Sequence, residues 1–366
     1  MKAPNERTSQ KASKMRRMLK PAALILLVFA AGLSLLVLWF AGVTIGGSDP
    51  LFRDKHESEW IKNLKYSDDE QVKEWRGYGE EGVQVLIRGL ERANHPGQRA
   101  YRQLYRSLPG FLMRWVPSPK SDSTRSTRMC LASLLSSLGN DASNAMPVLI
   151  RTVVHDEAAD VRQCAINFFT ASEDDQCLLN HMPVDEKMKL LPGLLRALQD
   201  RSNWGLRNNA ANALQWFPEQ RGIVAPALVA ALRDPQPQVR VLTAQALIRV
   251  DPGMAKKMGA AGVLTAISKD PDDQVAFRAV AAMKYFGSDP QSVVPALIES
   301  LKNTNTLVAC EAVWVLEWAP PEFKSCRDAV VPALHKAAQR TDNVGGYARA
   351  ALKRWESAAD PAKGGR

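Results

Sequence analysis

Histidine and cysteine are scarce in this chain, five of each in 366 residues, and neither type is spaced for chemistry. Cys130, Cys164, Cys177, Cys310 and Cys326 never form a C-x-x-C, which excludes zinc ribbons and thioredoxin-type redox centres. Cys177 and His181 stand four apart, but zinc needs three or four ligands. His56-Glu57-Ser58-Glu59 is not an H-E-x-x-H, and no P-loop or G-x-S-x-G occurs. No N-x-S/T glycosylation sequon is present either. The expectation is a protein with no catalytic residue, no cofactor and no metal.

One motif invites the opposite reading. Gly77-Tyr78-Gly79-Glu80-Glu81-Gly82 matches G-x-G-x-x-G letter for letter. A dinucleotide fingerprint needs a buried strand before the first glycine and a helix whose free N–H groups meet the pyrophosphate. Residues 68–76 are instead polar and charged, and Glu80 and Glu81 would set negative charge against phosphate. The stretch reads as a junction between helices.

The net charge is +10, unevenly placed. Residues 1–20 carry seven basic residues and one acid, so most of the excess flanks another feature and nucleic acid is not an expected partner. That feature is the uncharged run 21–48, apolar from Ala22 to Val43. A helix of that length would span roughly 33 Å, enough for a bilayer core. The expected organisation is a basic cytoplasmic tail (1–20) and a transmembrane anchor (21–46). Basic residues stay inside, so the chain is expected to be a single-pass inner-membrane protein with its C-terminal part in the periplasm. A cleaved signal peptide, with Gly46-Gly47-Ser48 as its site, is the alternative.

A repeat fills the rest. Its units start at Pro147, Pro192, Pro226, Gly262, Pro295 and Pro332, and the residue two later is Leu149, Leu194, Leu228, Leu264, Leu297 and Leu334. Second helices follow, marked by Val161-Arg162, Leu206-Arg207 and Val239-Arg240, with Val275-Ala276 and Val308-Ala309 keeping the apolar half. Phe169, Leu214, Leu247, Met283 and Leu316 are the large residues further on. Proline loses no hydrogen bond in a first helical turn, and Asp-Pro steps such as Asp234-Pro235 turn the chain. Each hairpin has a face it cannot bury alone, so neighbours must stack.

These units resemble HEAT repeats, clearly over 140–356 and more weakly over 57–139, with 357–366 as a C-terminal tail. The resemblance implies an all-α superhelix, an α-α solenoid, that binds a protein partner and is not an enzyme. A HEAT-like enzyme or accessory factor of lyase type, and a purely architectural envelope protein, are the other readings. It further implies that Asp156/Arg162, Asp200/Arg207 and Asp234/Arg240 form a structural ladder along the stacked turns.

Three further expectations come from the residues. Segments 116–123 and 172–187 read as loop insertions. Cys310 and Cys326 are the one pair worth testing for a bridge. Trp314 and Trp318, four apart on the second helix of the Pro295 unit, share a face away from its expected core stripe of Val308, Ala312, Val315, Leu316 and Ala319. They are candidates for partner binding, with packing against the next repeat as the alternative.

Overall fold

A computed structural model describes residues 28–34, 49–114, 116–119, 124–170 and 177–357. The longer helices are numbered here: α1 Glu57–Lys62, α2 Asp69–Gly77, α3 Gly79–Ala93, α4 Pro96–Ser107, α5 Arg125–Leu138, α6 Met146–His155, α7 Ala159–Thr170, α8 Val184–Leu198, α9 Trp204–Leu214, α10 Arg221–Ala231, α11 Pro237–Val250, α12 Ala260–Ile267, α13 Asp273–Ala282, α14 Val294–Ser300, α15 Thr306–Glu317, α16 Arg327–Ala337 and α17 Asn343–Ser357. The described strands are a two-residue pair, Leu51–Phe52 against Lys55–His56. The fold is an all-α solenoid of helical hairpins. The described residues divide into two compact units, one up to residue 152 with 156–161, the other 153–155 with 162 onward.

Among the described residues no helix is long and apolar enough to cross a membrane. The expected single-pass placement in the inner membrane is corrected on that finding. Of the apolar run, residues 28–34 are described, as helix. The rest of 21–46, the basic tail 1–20 and residues 358–366 lie outside the described residues.

The first unit explains the glycine motif. Gly77 ends α2, and Gly79, at φ +59°, begins α3. That left-handed conformation suits a residue without Cβ. A Cβ on Gly82 would stand 2.6 Å from the Cβ of Tyr78. The glycines therefore let α3 fold back closely, and Tyr78 joins Phe52, Trp60 and Trp75 in one aromatic cluster with ring centroids 5.4 to 6.3 Å apart. Gly139, which caps α5, also has a positive φ, +57°. Beneath the cluster the carboxylate of Glu57, fully buried, accepts from Arg88 and Arg92. A buried carboxylate without such donors would cost several kcal/mol.

The second unit stacks its hairpins in order, α8/α9, α10/α11, α12/α13, α14/α15 and α16/α17, and the second helices α9, α11, α13, α15 and α17 touch in succession. The six repeat leucines, Leu149 to Leu334, are all fully buried. So are Phe169, Leu214, Leu247, Met283 and Leu316. The periodic positions are thus the interior of the stack, where each leucine contributes about 1.5–3 kcal/mol of transfer free energy.

One local expectation fails. Pro147 and Pro295 do sit in first turns, but Pro192, Pro226 and Pro332 lie inside α8, α10 and α16. Those helices begin a turn or two upstream; α10 follows a 3-10 turn at Pro218–Gln220 without a break. Proline in an interior position removes a ladder hydrogen bond.

Candidate functional site

The repeat turns share one geometry. Asp156, Asp200, Asp234, Asp270 and Asn303 each accept, through Oδ1, from the backbone N–H two residues on: Ala158, Ser202, Gln236, Asp272 and Asn305. A second acceptor then caps the next helix: Asn203 for α9, Asp272 for α13, Asn305 for α15. Asp and Asn serve here because their short side chains reach the orphan N–H groups.

The aspartates hold their own turns and also accept from arginines of the preceding repeat. Arg128 donates to Asp156 at 2.8 and 3.0 Å, both side chains fully buried. Arg162 bonds Asp200 at 2.7 Å, and Arg207 grips Asp234 at 2.6 and 2.9 Å. The side-chain pairs therefore run between successive repeats, from the arginine of one to the turn aspartate of the next. Within a repeat the contact is to backbone: Arg207 to the carbonyl of Asp200, Arg240 to the carbonyls of Asp234 and Pro235. Stacked helices lie ~8–10 Å apart, a distance an arginine spans.

A groove of about 950 Å³ runs along the second helices of the second unit. Its floor is a hydrogen-bonded row of amides. Gln215 donates to Asn212 and accepts from Gln245 Nε2 at 3.0 Å and Arg249 Nη1 at 2.9 Å. Asn208 and Gln238 also line it, and their side-chain oxygens are buried without a hydrogen-bond partner in the structure.

Aromatic rings and cations alternate along the same groove. The guanidinium of Arg249 lies 4.5 Å from the ring centre of Trp216 and 5.1 Å from that of Tyr285. Lys284 Nζ stands 5.0 Å from Tyr285 and 5.5 Å from Trp314. Such contacts contribute about 0.5–2 kcal/mol each and hold flat rings and cations in fixed register.

Trp314 and Trp318 are both exposed, at 45 % and 55 %. Trp314 lines the groove; Trp318 stands outside that lining, its ring 3.6 Å beneath Arg354. Val308, Ala312, Val315 and Leu316 are buried as the helix pattern requires, joined by Ala309 and Val313, while Ala319 is half-buried. Cys310, on the groove wall, and Cys326 are free thiols, as are the other three cysteines. No group of three or more His, Cys, Asp or Glu among the described residues is placed to hold a metal ion.

No family model matches the chain, and no curated protein matches it. The solved structures to which it is similar include armadillo- and HEAT-like repeat proteins. Escherichia coli YibA is 16 % identical over 85 % of this chain and 99 % of its own, with a TM-score of 0.43. A designed armadillo repeat protein in complex with the peptide (KR)4 is 19 % identical, covers 57 % of this chain and 99 % of its own, and has a TM-score of 0.40. The complex of CpcE and CpcF of phycocyanin lyase from Nostoc is 19 % identical over 64 % of this chain and 90 % of that one, with a TM-score of 0.36.

The sequence reading misses Trp216, Arg249, Lys284 and Tyr285. A signal for three of them exists. Ten residues after the apolar marker of the last five second helices (Leu206, Val239, Val275, Val308, Val344) stand Trp216, Arg249, Tyr285, Trp318 and Arg354. That column holds aromatic and arginine residues alone. The core columns, being apolar, draw attention first; this one needs the repeats aligned to show.

Proposed function

We propose that the second unit is a binding scaffold that holds an extended segment of a protein partner in this groove, without performing chemistry on it. The observation that carries the reading is the row of amide side chains along the groove floor, Asn212, Gln215 and Gln245, flanked by Trp216, Tyr285 and Trp314. A carboxamide both donates and accepts, as a peptide bond does, so it matches backbone whatever the partner's side chains. Tryptophan and tyrosine supply large contact area with little entropy lost on binding, and they are enriched among residues that dominate binding energy. Trp314 is the partner-contacting tryptophan in this reading, and Trp318 is held by Arg354 beside it. The Arg–Asp pairs that cross the repeats set the spacing of the second helices and hence the register of the amide row; their role is structural.

Peptide display against the full chain tests this. Selected peptides should lose affinity for a Gln245→Ala, Trp314→Ala variant that keeps the wild-type melting curve. Peptides that bind the variant as tightly as the parent protein would place recognition elsewhere.

A further inference from the structure

Three residues after the apolar marker of the last five second helices stand Asn209, Leu242, Arg278, Glu311 and Tyr347. The helices that carry them touch in succession, so the five form one row across the unit. Asn209 is engaged, donating to Asn167. The other four line the groove. Leu242 and Glu311 are half-buried, and Arg278 and Tyr347 are exposed. No two of these four share a chemistry: one is apolar, one cationic, one anionic, one phenolic. A row that served packing would be uniformly apolar, as the leucine column is.

Arg278 and Glu311 are the informative pair. They hold the same place on α13 and α15, which pack together, and they carry opposite charge. Yet among the described residues neither makes a hydrogen bond or an ion pair, with the other or with any third group. Burial pushes the Glu311 carboxyl up; the charge of Lys284 acts against that, while Lys284 itself lies over the rings of Tyr285 and Trp314. A half-buried carboxylate without a donor carries a desolvation cost that a partner's cation removes. The guanidinium of Arg278 offers a partner's carboxylate a planar, two-point contact.

Resting on the reading that this groove holds an extended peptide, we propose that the row selects which peptide: one with an apolar residue at Leu242, an acidic one at Arg278 and a basic one at Glu311, in that order along the segment. Tyr347, next in the row, presents a ring to the cation held at Glu311. The spacing follows from the stack. Neighbouring helices lie ~8–10 Å apart, and in an extended polyproline II segment residues three apart point the same way, about 9 Å from one another. The selected residues therefore fall at every third position. The amides of Gln215 and Gln245 meet backbone and serve any sequence, whereas the row discriminates between sequences.

The test uses the full chain and four fluorescein-labelled peptides of one composition and one net charge. The acids Glu173, Asp174 and Asp175, which follow groove residue Thr170 in the sequence and lie outside the described residues, then bear on all four alike. Two peptides place the acid in the middle, Leu-Ser-Pro-Glu-Ser-Pro-Lys and Lys-Ser-Pro-Glu-Ser-Pro-Leu, one for each chain direction. Two place the base there, Leu-Ser-Pro-Lys-Ser-Pro-Glu and Glu-Ser-Pro-Lys-Ser-Pro-Leu. Fluorescence anisotropy should show one of the first two binding at least about fivefold tighter than either of the others. The variant Arg278→Glu, Glu311→Arg keeps the net charge of the protein and should invert the preference. Arg278→Gln, at an exposed position with no hydrogen bond or ion pair to lose, should shrink it to about twofold or less even if the double variant does not fold. Equal binding of the two pairs, or a preference that Arg278→Gln leaves intact, overturns the row; the groove remains a peptide site if affinity still falls in Gln245→Ala, Trp314→Ala. Failure of all four peptides while display-selected peptides bind the groove overturns the row as well. Failure of all four and of every display-selected peptide removes the peptide-groove reading itself.

Discussion

Arg207 and Asp234 belong to different repeats, yet their side chains meet in two hydrogen bonds of 2.6 and 2.9 Å, both nearly buried. Asp234 simultaneously holds its own turn through the N–H of Gln236. The pair therefore couples the geometry of one turn to the position of the previous second helix. Removing one member of a buried pair strands the other charge.

Asp234→Ala should accordingly cost about 3–5 kcal/mol, read by denaturant unfolding of the full chain. The double variant Arg207→Met, Asp234→Asn removes the charge and keeps an acceptor for Gln236. Its cost should fall to about 1–2 kcal/mol, the worth of the hydrogen bonds lost. A double variant as unstable as Asp234→Ala would show that the stranded arginine is not the cause.

The leucine column gives a second prediction. Leu228 and Leu297 are fully buried in α10 and α14. Leu228→Ala and Leu297→Ala should each destabilise by about 2–5 kcal/mol in chemical denaturation, the cost of lost burial and a residual cavity. A cost near zero at either site would mean that the leucine does not face the interior of the stack.

What the sequence made legible was whatever repeats with the helix period and is apolar. The six leucines and the large residues such as Phe169 and Leu214 are all where the spacing put them. Three things were not legible. Pro226 marks a repeat but not a helix start, because nothing between Gln220 and Pro226 stops a helix from beginning sooner. The Arg207–Asp234 pair crosses repeats because stacking sets Arg207 against the next repeat's turn, a proximity that spacing along the sequence does not show. The groove column of Trp216, Arg249 and Tyr285 mixes residue types that share stacking geometry and no hydropathy, so a hydrophobic pattern passes over it.

Acid should weaken the first unit through Glu157. Burial pushes its carboxyl up, but the hydrogen bonds and charge of Arg102, the charge of Arg128 and a backbone N–H outweigh that and hold it at about 2, below the ordinary 4.5. Its folded value is depressed, so its contribution is fully present above pH 4.5 and is lost as pH falls through about 2. Glu157→Gln cannot titrate. The gap in melting temperature between the parent protein and Glu157→Gln should be constant above pH 4.5 and close progressively toward pH 2. A gap that stays constant across this window would assign the variant's loss to packing rather than to charge.

Trp314 and Trp318 should separate in two measurements. Both are exposed, so neither truncation should approach the 3–5 kcal/mol of a buried tryptophan. Trp318→Ala removes the platform beneath Arg354 and should cost about 0.5–2 kcal/mol. Trp314→Ala gives up the weaker contact with Lys284, 5.5 Å away, and should cost less than about 1 kcal/mol. Binding reverses the order. Trp314 lines the groove, so its truncation should weaken a display-selected peptide by about tenfold or more, as central aromatic contacts do. Trp318 stands outside the lining, and its truncation should leave that affinity within about twofold. Melting curves and anisotropy titrations on the same two variants check both orders. Equal losses of affinity would extend the binding face past α15 to the Arg354 side of α17, and no loss from Trp314→Ala would remove that tryptophan from the partner's path.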